Sequence, residues 1–278
     1  PVNGGMWFAI KPEPDEDGHG VPWDEASRVK SQYHTVYALL GVAAATVANR
    51  PGAHELLNRM LEEQKELWTD DFGRVWDEYD EAFTEAVPVH TLGTLIHTIE
   101  AYMAAAEATT EPEWLDRAEK MAAFAYKVAS KNGWRIPEYF DENWEANHEA
   151  GKLLNDGRRY YEGYVTGHSM QLARFALQVR AGLRSMGWDV PDYLLEMGTE
   201  LFERARVDGW RRTDACPGFS TGVDDEGDPI PGEDEHQQWV VCEGVCAAVA
   251  VRRAMLDDGA RVSDVEHFEH CYRSFVDY

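Results

Sequence analysis

The sequence predicts an all-α protein built from four antiparallel pairs of helices. Apolar residues recur at helical spacing almost everywhere, as in the i, i+3, i+4, i+7 pattern of Leu92, Leu95, Ile96 and Ile99. Strand-like stretches are short and fall in loops, and a long segment rich in Gly, Asp and Trp precedes each pair. Short turns within the pairs and long loops at one end favour an α/α toroid, whose inner helices present a pocket rimmed by the loops.

The predicted helices follow one another along the whole chain, each from a run of apolar residues at helical spacing. In order they cover Asp24 to Val47, Ala53 to Leu67, Leu92 to Ala108, Glu111 to Ser130, Thr166 to Met186, Pro191 to Val207, Gln237 to Leu256, and Ser263 onward. Consecutive helices form the four pairs. The loops that precede the pairs cover residues 1–23, 68–91, 131–165 and 208–236.

A repeat of about 70 residues runs through this pattern. His97, His168 and Trp239 follow one another at intervals of 71 residues, and each lies near the start of the first helix of a pair. Repeats of this size indicate stacked helical hairpins, because one hairpin cannot bury its apolar face alone.

A closed toroid of this kind has six pairs, and the sequence predicts about eight of its twelve helices. We therefore expect a single α/α-barrel domain over residues 1–278 that is incomplete at both ends. Four pairs alone would leave apolar helix faces exposed at both edges. Either further polypeptide or another chain, as in a homo-oligomer, is expected to cover them.

The composition excludes several classes of partner. Asp and Glu number 51 against 26 Lys and Arg, and the net charge of −25 disfavours nucleic acid and anionic membranes. No run of 18 apolar residues occurs, and the first ten residues lack a basic region and a cleavage site. The sequence therefore predicts a cytoplasmic protein with no membrane partner.

His97 and Glu100 are the first candidate site residues. They stand at i and i+3 on one helix face, which otherwise carries Thr94, Ala101 and Ala104, whose small side chains leave room for a ligand. A carboxylate one turn from a histidine can orient the imidazole and stabilise its charged form. The pair therefore fits proton transfer, with a hydrogen-bonded structural histidine as the alternative.

The next two repeats offer candidates at the corresponding positions. His168 and Gln171 have the same i, i+3 relation directly after Gly167, and the Gln amide can hydrogen-bond an imidazole or a hydroxyl. Trp239 and Glu243 add an aromatic wall and a carboxylate at i and i+4. Polar and aromatic residues at corresponding positions of three repeats favour a ligand site.

Two loops, residues 68–83 and 134–145, interleave aromatic residues with carboxylates. Aromatic rings cover the C–H faces of sugars and acids bind their hydroxyls, although packing of these rings on the helix rim explains the pattern equally well. No spacing typical of zinc or calcium sites occurs in the sequence, nor does a nucleotide-binding or serine-hydrolase motif. We expect neither a metal nor a cofactor.

Eight segments carry a family resemblance. They are GGMWFA (4–9), YHTVYALLGVAAAT (33–46), DEAF (80–83), HTIEAYMAAAEAT (97–109), WLDRA (114–118), EYFDENW (138–144), GHSMQLAR (167–174) and WVVCEG (239–244). In their order and spacing these segments resemble the N-acylglucosamine 2-epimerase superfamily, and within it the aldose-ketose isomerases that act on mannose or sulfoquinovose. The resemblance extends over essentially the whole chain.

This resemblance implies an (α/α)6 barrel and metal-independent proton transfer at the carbon next to the sugar carbonyl, through an enediol-type intermediate. It implies that His168 is one catalytic acid/base, that His97 binds the monosaccharide substrate and that Glu243 is a pocket carboxylate. The remaining predicted pocket residues are Tyr33, Glu100, Gln171 and Trp239.

The sequence also departs from the family pattern. Gln171 stands where the family has a Glu that supports the catalytic histidine, and Tyr139 stands where it has a His. The resemblance places the second catalytic histidine after Tyr278 and a substrate-binding Arg before Gly4.

Two further interpretations stay open. One is an α/α-toroid glycoside hydrolase, which needs two carboxylates across the pocket, with Asp80 and Glu243 as candidates. The other is a non-catalytic sugar-binding homologue, motivated by Gln171, Tyr139 and the catalytic segments expected outside the sequence.

Overall fold

The computed structural model describes residues 3–70, 73–155, 157–211 and 217–277. Helices predominate over short strands, as the sequence predicts. Within the described residues the α-helices are α1 (Gln32–Val47), α2 (Ala53–Glu63), α3 (Leu92–Thr109), α4 (Pro112–Lys131), α5 (Thr166–Ser185), α6 (Tyr193–Gly209), α7 (Gln238–Asp257) and α8 (Glu266–Val276). None of these described helices is both long and apolar enough to cross a lipid bilayer.

Most of the predicted helices are confirmed close to their predicted bounds. The predicted end of the second helix at Leu67 reflects a π-helical turn over Gln64–Trp68 that continues α2. The predicted last helix starts with a 3-10 turn over Val262–Asp264 before α8, and its final residue, Tyr278, lies outside the described residues.

The first predicted helix, Asp24 to Val47, is wrong at its N-terminal end. α1 begins at Gln32, and the residues before it form a 3-10 turn over Ala26–Arg28 and strand β1 (Lys30–Ser31). This strand pairs with β2 (Glu78–Tyr79), which lies far along the chain. Pairing with a distant segment overrides the local helical spacing here, because strand formation depends on the neighbour that a strand meets.

Short antiparallel strand pairs hold the loops that lead into the helices. The other strands are β3 (Val89–Thr91), β4 (Tyr139–Asp141), β5 (Tyr164–Val165), β6 (Trp210–Arg211), β7 (Gly218–Phe219) and β8 (Gly222–Val223). β1 pairs with β2, β3 with β4, β5 with β8, and β6 with β7. Because β1, β3 and β5 end directly before α1, α3 and α5, strand pairing fixes where these three helices begin.

The helices form two compact units, each with its own apolar core. In the first unit α1 packs against α2 and α3, with Leu39 and Ile96 fully buried. In the second unit α5 packs against α6 and α7, and α7 packs against α8, with Phe175 and Phe202 fully buried. The first unit comprises residues 1–118 and 139–160, and the second comprises residues 119–138 and 161–278. The expectation of a single domain stays a prediction.

The helix starts correct the predicted repeat register. His168 is the third residue after the N-cap of α5, whereas His97 is the sixth residue after the N-cap of α3. The two histidines are therefore offset by almost one helical turn, because the loops before the helices differ in length. The residues that do share the sixth position, in α1, α3, α5 and α7 respectively, are Tyr37, His97, Gln171 and Glu243.

Candidate active site

His168 lies in the first turn of α5 and is paired with a buried carboxylate. Its Nδ1 is 2.7 Å from Oε2 of Glu138, whose side chain is 4% exposed against 18% for that of His168. The other carboxylate oxygen, Oε1, accepts a hydrogen bond of 3.1 Å from the N–H of Val165, the N-cap residue of the helix. The backbone thus holds Glu138 at the helix entrance, where a negative charge is also favoured by the helix dipole.

This pairing sets the tautomer of His168. A carboxylate oxygen only accepts hydrogen bonds, so Nδ1 carries the hydrogen and Nε2 of the neutral ring keeps its lone pair. No side chain or backbone group among the described residues is hydrogen-bonded to Nε2. An oriented imidazole with a vacant basic nitrogen is equipped to take up and return a proton.

The loop 218–236 fixes the entrance of α5. β5 pairs with β8, and the N–H of Thr166 donates to the carbonyl of Thr221 at 2.9 Å. Gly167 then allows α7 to approach, because an added Cβ would lie 2.4 Å from a ring carbon of Trp239. The Trp239 ring lies beside the His168 imidazole, with their centroids 5.5 Å apart. The predicted aromatic neighbour of His168 is therefore present.

Gln171 does not provide the partner of the His168 imidazole. It is 7% exposed and follows His168 by almost one turn, whereas the imidazole Nδ1 is bonded to Glu138 at the helix entrance. The partner of the His168 imidazole is thus a residue that precedes the helix.

His97 forms the predicted pair with Glu100 and also has a second partner. Its Nδ1 is 3.1 Å from Glu100 Oε2, and its Nε2 is 2.8 Å from the hydroxyl of Tyr37 on α1. With the Nδ1 hydrogen directed at the carboxylate, Nε2 accepts the hydrogen of the Tyr37 hydroxyl. Both ring nitrogens of His97 are thus occupied by protein groups.

Tyr33 packs against this pair. Its ring meets the His97 ring edge to face at 5.5 Å and the Tyr37 ring at 5.1 Å. The guanidinium of Arg158 lies 4.7 Å from the centre of the Tyr33 ring, a favourable cation–π distance. Arg158 in turn donates to Asp77 at 3.1 Å.

Asp77 fixes the start of α3 and so the position of His97. Its carboxylate is fully buried and accepts from the backbone N–H of Thr91 at 2.8 Å and from the hydroxyls of Thr91 and Thr94 at 2.5 Å. Thr91 is the N-cap of the helix, and its hydroxyl accepts from the Thr94 N–H. A buried carboxylate with several donors is a strong local anchor.

Glu243 lies in an ion pair that the sequence analysis did not predict. Arg174 on α5 donates through Nε and Nη2 to the two carboxylate oxygens at 2.9 and 3.0 Å, in a bidentate arrangement. Both side chains are less than one-fifth exposed. Both carboxylate oxygens of Glu243 are thus engaged by the Arg174 guanidinium.

The aromatic residues of the two predicted sugar-facing loops pack on one another. Trp68 is fully buried and contacts the ring of Phe83 at 5.1 Å. Trp144 stacks on His90 with ring centroids 4.0 Å apart, and Tyr139 stacks on Tyr160 at 5.2 Å. For these rings the structure favours packing over sugar binding.

Asp80 is a turn residue. Its carboxylate accepts from the N–H and hydroxyl of Thr84 and from the N–H of Glu85. The hydrogen bond from Thr84 lowers the pKa of Asp80, the direction opposite to that required of a general acid in glycoside hydrolysis.

No three His, Cys, Asp or Glu side chains lie together in a way that could hold a metal ion anywhere in the described ranges. The absence of a metal or cofactor from the chemistry stays a prediction.

Of the residues that the sequence analysis missed, three hydrogen-bond directly to a predicted site residue: Glu138, Tyr37 and Arg174. All three lie inside segments that carry the family resemblance. The resemblance thus covers these positions but assigns them no role. Their partners are 30, 60 and 69 residues away, respectively. Counting from each helix start would have aligned Tyr37 with His97, but no local pattern indicates Glu138 or Arg174.

Comparison with known proteins places these observations in a family. The family model described as N-acylglucosamine 2-epimerase (GlcNAc 2-epimerase) matches residues 13–277. A D-mannose isomerase of Thermobifida fusca is 32% identical over 274 residues, which are 96% of this chain and 63% of that protein. A D-mannose isomerase of Pseudomonas cannabina pv. alisalensis is 28% identical over 99% of this chain and 62% of its own length. The chain thus spans less than two thirds of these relatives.

Solved structures agree on the fold. A crystal structure of D-mannose isomerase matches with a TM-score of 0.78 at 20% identity, over 96% of this chain and 66% of that one. A sugar epimerase from a ruminal bacterium matches with a TM-score of 0.71 at 13% identity, over 94% and 61%. The predicted fold class, all-α with the helical hairpins of an (α/α)6 toroid, is confirmed. Because the family model matches nearly the whole of this chain, the chain belongs to the N-acylglucosamine 2-epimerase family.

Proposed function

We propose that the protein that contains this chain is a sugar isomerase or epimerase, which converts an aldose into the ketose or into the C2 epimer. The family and the D-mannose isomerases among its relatives support this class of reaction. The observation that carries the proposal is the imidazole of His168, held through Nδ1 by buried Glu138 with its Nε2 available.

In the proposed reaction, His168 moves the carbon-bound proton. Nε2 takes the proton from C2 of the open-chain aldose. The electron pair of the broken C–H bond becomes the C1=C2 double bond, and the π pair of the C1=O1 carbonyl moves onto O1, which gives an enediolate. The imidazolium that forms is stabilised by the Glu138 carboxylate. Return of the proton to C1, together with loss of the O2 hydroxyl proton and protonation of O1, gives the ketose. Protonation of C2 from the opposite face, with the electron pair on O1 restoring the C1=O1 carbonyl, gives the epimer.

The other candidate residues have binding roles in this proposal. Trp239 would cover an apolar face of the sugar beside His168, and Glu243 would accept hydrogen bonds from sugar hydroxyls. Gln171, Tyr33, His97 and Glu100 complete the proposed binding residues, and the substrate is a monosaccharide.

The structure gives less support to the two alternatives. The hydrolase needs a protonated carboxylic acid, yet Asp80 has a lowered pKa and Glu243 is paired with Arg174. The binding-only homologue was motivated by Gln171, whereas His168 has a carboxylate partner in Glu138.

Proton NMR of D-mannose in deuterated water tests the proposal, with the natural gene product that contains this chain as the catalyst. We expect deuterium at C2 together with formation of fructose or glucose. The His168→Asn variant should lose both signals. His267→Asn is the matched control, because His267 also pairs with a carboxylate, Glu203 at 2.7 Å, but is 47% exposed and lies outside the site.

The proposal fails if the wild-type protein neither exchanges hydrogen nor converts any of mannose, glucose, N-acylglucosamine and sulfoquinovose.

A further inference from the structure

The exposed side of α7 carries two cysteines. Cys242 and Cys246 are free thiols, both exposed, and stand at i and i+4 on the helix. The exposed residues Val249 and Arg253 continue the same stripe along α7, whereas Gly244, between the two cysteines, is buried. Both thiols therefore lie on one side of the helix, about one turn apart.

The spacing of these thiols disfavours a disulfide and suits a shared metal ion. Side chains at i and i+4 of a helix have their Cβ atoms about 5–6 Å apart, whereas a disulfide requires about 3.5–4.5 Å. The two sulfurs therefore cannot bond to each other without distorting α7. A metal ion between them sets the sulfurs about 4.6 Å apart, because each metal–sulfur bond is about 2.3 Å long. This wider separation matches the helical spacing better.

The surroundings of the pair select the class of metal. Across the described ranges, no third His, Cys, Asp or Glu joins the two thiols in a group that could hold a metal ion. Structural zinc sites take four protein ligands, so this pair does not fit zinc. Soft thiolate ligands select Cu(I), and Cu(I) forms stable linear complexes with two thiolates.

An ion can reach the pair, and a cationic side chain lies beside it. Cys246 lines a groove of about 550 Å³ together with Arg174. Arg174, Glu243 and Cys242 all interact electrostatically with Cys246, and the influence of Arg174 is larger than that of Glu243. The guanidinium therefore favours negative charge on the two sulfurs.

We propose that Cys242 and Cys246 are the two ligands of a site for a soft monovalent cation, Cu(I). On binding, the two S–H bonds break, their protons pass to the solvent and two Cu–S bonds form. Copper stays in the +1 state, so neither an oxidant nor a reductant takes part. The complex carries one net negative charge, which the Arg174 guanidinium stabilises. The site is separate from the proposed isomerisation, in which this metal has no part.

Competition with a coloured chelator tests the site. The natural gene product that contains this chain is kept reduced and free of oxygen and is titrated into the complex of Cu(I) with bicinchoninate, whose loss of colour measures copper transfer. We expect the pair to take up one Cu(I) per chain. Cys242→Ser and Cys246→Ser should each weaken its binding by at least about 10²-fold, because one thiolate lacks the linked second ligand. X-ray absorption at the copper edge should show two sulfur neighbours.

Val249→Ser is the matched control. Val249 is 47% exposed on the same stripe of α7, so the change introduces a serine there and leaves both thiols in place. Copper binding should be unchanged. Cys216 and Cys271 are retained in all of these proteins, so a difference between them reports on Cys242 and Cys246.

Three results would overturn the site. One is copper binding that neither serine variant weakens. Another is a loss of half of the bound copper in each variant, with the affinity of the rest unchanged, because this would show two independent thiols. The third is a spectrum with more than two sulfur neighbours. None of these measurements needs a sugar or turnover, so failure of the copper site and failure of the proposed function are distinguishable.

Discussion

The two units of the chain each contain a histidine bonded through Nδ1 to a glutamate, yet the two pairs differ. In the second unit the partner of His168 is Glu138, 4% exposed and bonded as well to a backbone N–H. In the first unit the partner of His97 is Glu100, one turn along the same helix and 26% exposed. The far nitrogen is available in His168 and is bonded to Tyr37 in His97.

A His–Glu pair alone therefore does not define what its histidine does. The carboxylate fixes the tautomer in both cases, but the group at Nε2 decides what the imidazole can reach. Nε2 of His168 carries no hydrogen bond from a described protein group and is open to a ligand. Nε2 of His97 is already bonded to the Tyr37 hydroxyl.

Exchange of each histidine for asparagine gives the largest expected difference. His168→Asn should lower kcat for C2 exchange by about 10³-fold, within the range known for general acid–base groups. His97→Asn should lower C2 exchange by less than about tenfold, since both ring nitrogens of His97 are bonded to protein groups and its proposed role is to bind the sugar. Steady-state kinetics in deuterated water measures both. Equal losses in the two variants would contradict the comparison.

Exchange of each glutamate for glutamine should give a smaller difference in the same direction. Glu138→Gln should lower kcat for C2 exchange by about 10²-fold, because the His168 imidazolium loses its charged partner and Val165 loses a charged acceptor. Glu100→Gln should leave C2 exchange within about threefold, because Glu100 is partly exposed and solvent replaces much of its interaction.

Glu203→Gln serves as the control for both substitutions, because Glu203 pairs with His267 outside the site. It should leave C2 exchange unchanged. A loss for Glu203→Gln as large as that for Glu138→Gln would indicate a general effect of altered charge.

Gly167→Ala tests the close contact between Gly167 and Trp239, the residue whose ring lies beside His168. The new Cβ would lie 2.4 Å from the Trp239 ring, so the ring or the helix must shift, at an expected cost of about 1–3 kcal/mol in the free energy of unfolding. Thermal unfolding followed by circular dichroism measures this. Gly41→Ala in α1 is the control, because its Cβ would meet open space and should stabilise the helix by up to about 1 kcal/mol.

A third histidine, His90, has no carboxylate bonded to its ring in the described structure and should respond to pH through stability alone. Burial lowers its pKa below the ordinary value of 6.5, against the opposing influence of Asp77. Its Nδ1 donates to the Val75 carbonyl at 2.9 Å. Below pH 6.5 the unfolded chain therefore binds the proton more readily than the folded one. The free energy of unfolding consequently decreases as the pH is lowered below 6.5.

His90→Phe keeps an aromatic ring against Trp144 and removes the titrating group. The wild-type protein should lose more of its thermal stability than this variant between pH 7.5 and pH 5. Equal losses in the two proteins would show that His90 protonation does not contribute.

The residues that sequence analysis identified correctly share one property, namely that their spacing along the chain is short. His97 and Glu100 face each other because i and i+3 meet on any α-helix, and the structure joins them. Leu92, Leu95, Ile96 and Ile99 are buried, as their periodicity predicts. The interval of 71 residues was less reliable, because it compared His97 with His168 across loops of unequal length.

The sequence by itself determined the helical hairpins, the family, and the candidate residues in the N-terminal parts of α1, α3, α5 and α7. Only the tertiary structure decided that α1 begins at Gln32, that Glu138 rather than Gln171 holds His168, that Tyr37 covers His97, and that Arg174 neutralises Glu243. The physical reason is the same in each case. Helical periodicity is local, whereas a strand pair or a hydrogen bond between residues 30 to 69 positions apart forms only when packing brings separate elements together.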